Sequence, residues 1–256
     1  MRQLTAAAAI AAIGMLVAAC GGNNQSSPSS STTTTTTTTT TRPPVAQAAL
    51  ANLLLSTAEI DTALGLTGTA SKGKIDKLED DNVKQKWPAG WQFPAECLDT
   101  LNAGEAPVYA GSGYTAVSGD DDSVALPAGS NDPDPEVTQV VVLFPSAKEA
   151  NAFFTASSQR WPACANREFT SPGDPTMDNI AIDFKVGAVS NANGILIATI
   201  NGSMVKPGTP SLDMGTCQRA LTVRNNVAID VSGCRKDPGD LGVNVLNQIA
   251  GKVDKQ

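Results

Sequence analysis

Apolar and polar positions divide this chain into three stretches. Residues 6–19 are almost uniformly apolar, residues 21–44 hold no aliphatic or aromatic side chain, and from Val45 onward short apolar runs alternate with polar breaks. In the third stretch, Ser56 and Glu59 have capping-box spacing. Leu55 and Ile60 flank them as a hydrophobic staple, so a helix starts here and ends at Gly65 or Gly68. Residues 72–91 read as charged and irregular, with helical character at 74–83. Residues 94–97 read as a turn into a short helix. Residues 108–110 and 114–118 read as strands. Residues 119–135, which include Asp120, Asp121, Asp122, Asp132 and Asp134, read as a loop. The β-branched run 137–144 predicts a strand buried on both faces. A second capping-box pair, Ser146 with Glu149, predicts a helix on which Ala150, Phe153, Phe154, Ser157 and Trp161 share one face. Strands at 180–189 and 195–200 are joined at 191–194. Asp237 and Pro238 read as N-cap and N1 of a last helix with the stripe Leu246, Ile249, Ala250 and Val253.

The pattern is most exact around Asn225-Asn226. Strand-like residues flank the pair, and Asn tolerates positive φ, so a two-residue hairpin turn is expected, with Arg224 facing Val227. Facing residues then sum to 451, as Cys217 and Cys234 do. Counting outward puts the two cysteines on a non-hydrogen-bonded pair, where Cα atoms stand roughly 4.5 Å apart, inside the range a disulfide accepts. This selects Cys217–Cys234, and Cys97–Cys164 follows by elimination.

The first stretch changes the setting. Arg2, the apolar run and Leu16-Val17-Ala18-Ala19-Cys20 followed by Gly21-Gly22 resemble a bacterial lipobox. Residues 1–19 are then a lipoprotein signal peptide and Cys20 carries the lipid. The run is too short to span a bilayer comfortably. Residues 20–44, with unbroken Thr32 to Thr41 and then Arg42-Pro43-Pro44, read as a disordered stalk, because nothing apolar offsets the entropy of ordering it. The tract is a bare spacer or an acceptor of O-linked sugars. Residues 45–256 form a single globular domain. The expected location is the extracytoplasmic face of the cell membrane, where the four remaining cysteines form two disulfides.

The chain carries 18 basic and 25 acidic residues, and the leader accounts for one of them, Arg2. Such an acidic chain gains nothing from counterion release, which argues against nucleic acid as a partner. Contact with the membrane is expected through the lipid alone. No histidine is present. That removes Ser-His-Asp and Cys-His nucleophile systems and His-ligated zinc.

No motif supplies a catalytic set. Residues 68–74 match seven positions of a P-loop, but Ile75 stands where the Mg²⁺-binding hydroxyl belongs, so a glycine-rich connection is expected. Residues 111–116 have G-x-G-x-x-A spacing, yet a strand follows, so they read as a turn. The acidic loop lacks EF-hand spacing, and no metal or cofactor is expected. Asn201-Gly202-Ser203 fits a glycosylation sequon and is read as a turn. Paired carboxylates need no sequence proximity, so a carboxylate-pair hydrolase stays as one alternative. A surface module that recognises another protein is the other.

The ordered set Leu55-Ser56, Glu59-Ile60, Pro94, Cys97, Val108-Tyr109, residues 112–116, 137–139 and 143–147, Ala152-Phe153-Phe154, Trp161, Cys164, Cys217, Arg219-Ala220-Leu221 and residues 223–227 resembles the PknH-like family of mycobacterial extracellular sensor domains and their stand-alone lipoprotein relatives. The likeness runs from about Leu53 to Val253. It implies an α/β (α+β) fold with an antiparallel central sheet, flanking helices, two disulfides and a cleft for a small ligand of the envelope. It implies no catalytic residues. A ligand is expected against the sheet, with Tyr114 and Arg224 as candidate cleft residues.

Overall fold

The computed structural model describes residues 42–80 and 90–256, and within them nine strands hydrogen-bond into one antiparallel sheet. The leader, Cys20 and most of the stalk lie outside the described residues, as does the end of the segment 74–83. The strands are β1 (Ala70–Ile75), β2 (Ala116–Ser123), β3 (Glu136–Leu143), β4 (Glu168–Thr170), β5 (Ala181–Val186), β6 (Ser190–Ala192), β7 (Ile195–Val205), β8 (Leu212–Arg224) and β9 (Val227–Arg235). Their spatial order is β1-β2-β3-β9-β8-β7-β5-β4, with β6 paired to β7. The helices are α1 (Thr57–Leu64), α2 (Leu98–Leu101), α3 (Ala106–Tyr109), α4 (Ala147–Arg160) and α5 (Leu241–Val253).

Both sheet faces are covered. One packs Val137, Val141, Ile229 and Val231 against Leu53, Ile60, Val245, Leu246 and Ile249 of the N-terminal 3₁₀ turn, α1 and α5. The other packs Val140, Val142, Leu221 and Ala228 against Tyr109, Phe153 and Trp161. The central strand β3 therefore has valines pointing both ways, as its continuous apolar run predicts. α1 carries the complete capping box, and Gly65 ends it in the left-handed region at φ 67°. On α4 the Ser146 hydroxyl accepts from the Lys148 amide and bonds the Glu149 carboxylate.

Several sequence expectations need correction. Residues 70–75 are an edge strand, where the glycine-rich connection and the start of a helix were expected. Residues 106–109 are a helical turn, with Pro107 favouring its first positions, although Val108 and Tyr109 suggest a strand. The turn at 201–203 is absent, since these residues lie inside β7 and pair with β5. The last helix begins at Leu241, because the Leu241 amide bonds back to the Pro238 carbonyl and Gln218 Oε1 accepts the Val243 amide.

The acidic run is the sharpest departure. Asp120, Asp121 and Asp122 lie within β2 rather than in a loop, which shrinks to 124–135. Charges disfavour a strand, but here they have partners. Asp120 takes Ser71 Oγ and the Lys74 ammonium from β1. Asp122 accepts from Gln139 Nε2 at 3.0 Å, and Gln139 also exchanges bonds with the Leu55 backbone, fixing the start of α1 to the sheet. Asp122 Oδ1 is buried with no hydrogen-bond partner, and burial pushes the Asp122 carboxyl above the usual carboxylate range. The folded state therefore holds this proton more tightly than the unfolded chain, and native stability is lost as pH rises through that window. Asp122→Asn is expected to stabilise the protein at neutral pH, with the gain fading toward about pH 4. Urea midpoints of both proteins across this range check it; a gain independent of pH would refute the burial argument.

Candidate functional site

Residues that face each other on adjacent strands point to the same face of a sheet, and one such row crosses this molecule: Ser123, Glu136, Cys234, Cys217, Ile200 and Val186. The row changes character along its length, from polar and acidic at β2 and β3, through sulfur on β9 and β8, to aliphatic on β7 and β5. Two concavities open over it. One, of about 330 Å³, is bounded by the segment Asn102–Glu105, Asp121, Glu136 and Thr138. The other, of about 440 Å³, is bounded by Leu101, Ile182, Phe184, Ile200 and Met214, with both Cys217 and Cys234 contributing. Asn102 and Glu136 line both, so the two form one cleft with an acidic end and an apolar end. Each volume falls in the range that holds small ligands.

The rim segment after α2 is fixed from beneath. Asp230 Oδ2 accepts the Gly104 amide at 2.9 Å and the Tyr109 hydroxyl at 3.0 Å, while Asp230 Oδ1 accepts Arg219 Nη2 at 2.6 Å. Arg219 Nη1 donates to the Val231 carbonyl, and the guanidinium stands 6.0 Å from the Trp161 ring centre. This ion pair is almost wholly buried. Burial and the adjacent Asp230 carboxylate push the Tyr109 hydroxyl well above its ordinary pKa. Gly104 sits at φ 78°, and an added Cβ would come within 3.2 Å of Val140, so a side chain there would strain the backbone and crowd Val140. The base of α2 is held by the Cys97–Cys164 bridge and by Asp99, which accepts Arg160 Nη2 at 2.9 Å and Nε at 3.2 Å. The cleft is therefore preorganised, with its walls bonded to the core.

Glu136 is the carboxylate common to both halves. Its confinement in the concavity, then Asp121 and Asp134, push its pKa upward, and Lys72 opposes them. Arg235 also borders the apolar half, but Nε donates to the Asp237 carbonyl and Nη1 to the Leu64 carbonyl. Among the described residues no group of three or more His, Cys, Asp or Glu side chains is placed to hold a metal.

The structure joins Cys217 to Cys234 with Cα atoms 3.9 Å apart and Cys97 to Cys164 at 4.9 Å. The hairpin register runs from Arg224↔Val227 to Thr216↔Arg235 without a slip, so the expected facing pair is the one found. Tyr114 and Arg224 go elsewhere. The row Ala116, Leu143, Val227 and Arg224 marks the opposite end of the sheet. There Tyr114 stands edge-on to Tyr109 at 6.2 Å, and Arg224 donates to Thr222 Oγ1 and the Val223 carbonyl. Neither lines the cleft described above. The residues that do line it come from seven strands and the connecting segments around them, and no local motif links them.

The profile of the PknH-like extracellular domain matches residues 45–252. The chain is similar to the serine/threonine-protein kinase PknH of Mycobacterium tuberculosis, 30% identical over 209 residues, covering 82% of this chain and 29% of the kinase. It is similar to PknH of Mycobacterium bovis, 29% identical over 212 residues, covering 83% of this chain and 32% of that kinase. It thus spans about a third of the length of these relatives. The crystal structure of the extracellular domain of PknH from Mycobacterium tuberculosis superposes with a TM-score of 0.65 at 26% identity, covering 84% of this chain and 99% of that one. A match across nearly the whole described body, in sequence and in fold, places this chain in the PknH-like extracellular domain family.

Proposed function

We propose that this protein is a non-catalytic receptor of the cell envelope, binding a small ligand in the cleft between the Asn102–Glu105 segment and the sheet. In this reading residues 1–19 are removed, Cys20 is acylated, residues 20–44 form the stalk, and residues 45–256 face the extracytoplasmic space. The observation that carries the binding role is the joined pair of concavities on a rim anchored by the buried Arg219–Asp230 pair. Preorganised walls lower the ordering cost of binding, which is what a receptor of modest size needs. The reading moves the ligand away from Tyr114 and Arg224.

Two experiments test it. Cys20→Ala is expected to abolish labelling by a palmitate analogue and to release the protein from the membrane fraction; unchanged labelling and retention would remove the anchor from the account. Native mass spectrometry of the purified chain after exposure to envelope extract is expected to show a bound small molecule. Gly202→Phe, which fills the apolar half, should abolish that adduct.

A second reading has one specific support. Glu136 is held protonated to higher pH beside the carboxylate of Asp121, an arrangement that suits acid–base hydrolysis. Turnover of an envelope glycan that is lost in Glu136→Gln would favour it over a receptor.

A further inference from the structure

We infer that the cleft takes an amphiphile with a cationic head, seated between Asp121 and Glu136, and an apolar tail laid over the Cys217–Cys234 bridge toward Phe184 and Met214. This rests on the cleft being a ligand site and names the chemistry that would fill it.

The tail end leaves apolar surface open. Met214 is 43% exposed and Leu212, two residues earlier on the same strand, 53% exposed. Ile182, Phe184 and Ile200 continue this wall. Gly202 leaves the middle empty: a Cβ there would meet only Met214, at 3.6 Å. Covering such a surface with an alkyl or aryl group recovers the free energy of apolar burial.

The head end is acidic. Asp121, Asp134 and Glu136 converge there, faced by Lys72 from β1. Arg235, at the end of β9, is bound to two backbone carbonyls. An anionic head would meet a net negative wall, and a neutral polyol would gain no Coulomb attraction from it. A cation offsets the burial, and then the repulsion from Asp121 and Asp134, that hold the Glu136 proton on, so its affinity should rise with pH as Glu136 loses that proton.

The test uses the mature chain, residues 20–256, with Cys20→Ser, and three probes sharing one tail: decyltrimethylammonium, decyl maltoside and decyl sulfate, all below their micelle concentrations. Calorimetry at low salt should show the ammonium binding at least about tenfold more tightly than the other two, with the advantage shrinking as salt rises. Glu136→Gln, at the start of β3, should weaken the ammonium roughly five- to tenfold and the maltoside far less. Each methylene added to the seated tail should strengthen binding about fourfold. Gly202→Phe should abolish binding of all three while both disulfides remain intact by mass. Equal binding of the three probes, or a preference for the sulfate, overturns the cationic assignment while leaving the cleft as a ligand site. No binding by any probe also overturns this inference, whereas the receptor reading fails separately, on the envelope-extract experiment.

Discussion

Asp230→Ala is expected to lower the unfolding free energy by about 3–5 kcal/mol, the cost of leaving one partner of a buried ion pair uncompensated. Three donors converge on this carboxylate: Arg219, the Tyr109 hydroxyl and the Gly104 amide. Removing it strands all three, and the Arg219 guanidinium is already incompletely bonded, since its Nε has no hydrogen-bond partner. Replacing both ions by apolar residues of similar volume, Arg219→Met with Asp230→Leu, should cost much less than Asp230→Ala alone. Urea denaturation measures the stability. Hydrogen exchange at the Gly104 amide measures the rim, and its protection should fall in Asp230→Ala more than the global loss accounts for. A loss below about 1 kcal/mol would mean the network does not carry the rim.

Opening the Cys97–Cys164 bridge should be nearly as costly. On the chain-entropy view its sequence separation of 67 residues corresponds to about 4 kcal/mol, against about 3 kcal/mol for the separation of 17 at Cys217–Cys234. For a body of this size the first loss lowers the melting temperature by roughly 8–16 °C. Cys97 and Cys164 are both fully buried with Phe93, Leu98, Leu101 and Ile200, so paired serine replacement adds buried hydroxyls to the lost cross-link. Calorimetry of the two paired-serine variants should rank them in this order. The reverse order would mean that the hairpin bridge, which sits in the cleft floor, contributes more than its loop length implies.

The regular parts of the fold were legible because their signals are local. The Asn225-Asn226 turn fixes a register, and a fixed register determines which cysteine faces which, eight pairs away from the turn. Ser56 with Glu59 and the α5 stripe were readable for the same reason. The misread segments have signals that tertiary contacts override. β1 offers glycine and lysine with almost no apolar alternation, because it is an exposed edge. Asp120 to Asp122 look like solvated loop until Lys74, Ser71 and Gln139 are brought against them from other strands. Val108 and Tyr109 favour a strand by type, but Tyr109 is drawn into the core by Asp230, more than 100 residues away in sequence. The cleft was the least legible part, since its lining is gathered a few residues at a time from seven strands. Tyr114 and Arg224 follow sequence types that often line pockets, yet the sheet delivers them to its other end.

The most direct test of the central claim is amide chemical-shift mapping of the isotope-labelled mature chain titrated with polar and lipid fractions of the cell envelope. A saturable set of shifts centred on Asn102, Gly104, Glu136, Gly202 and Met214 is the expected result. Shifts gathered instead around Tyr114 and Arg224, or cleft amides that stay unmoved at saturating envelope fractions, would contradict it.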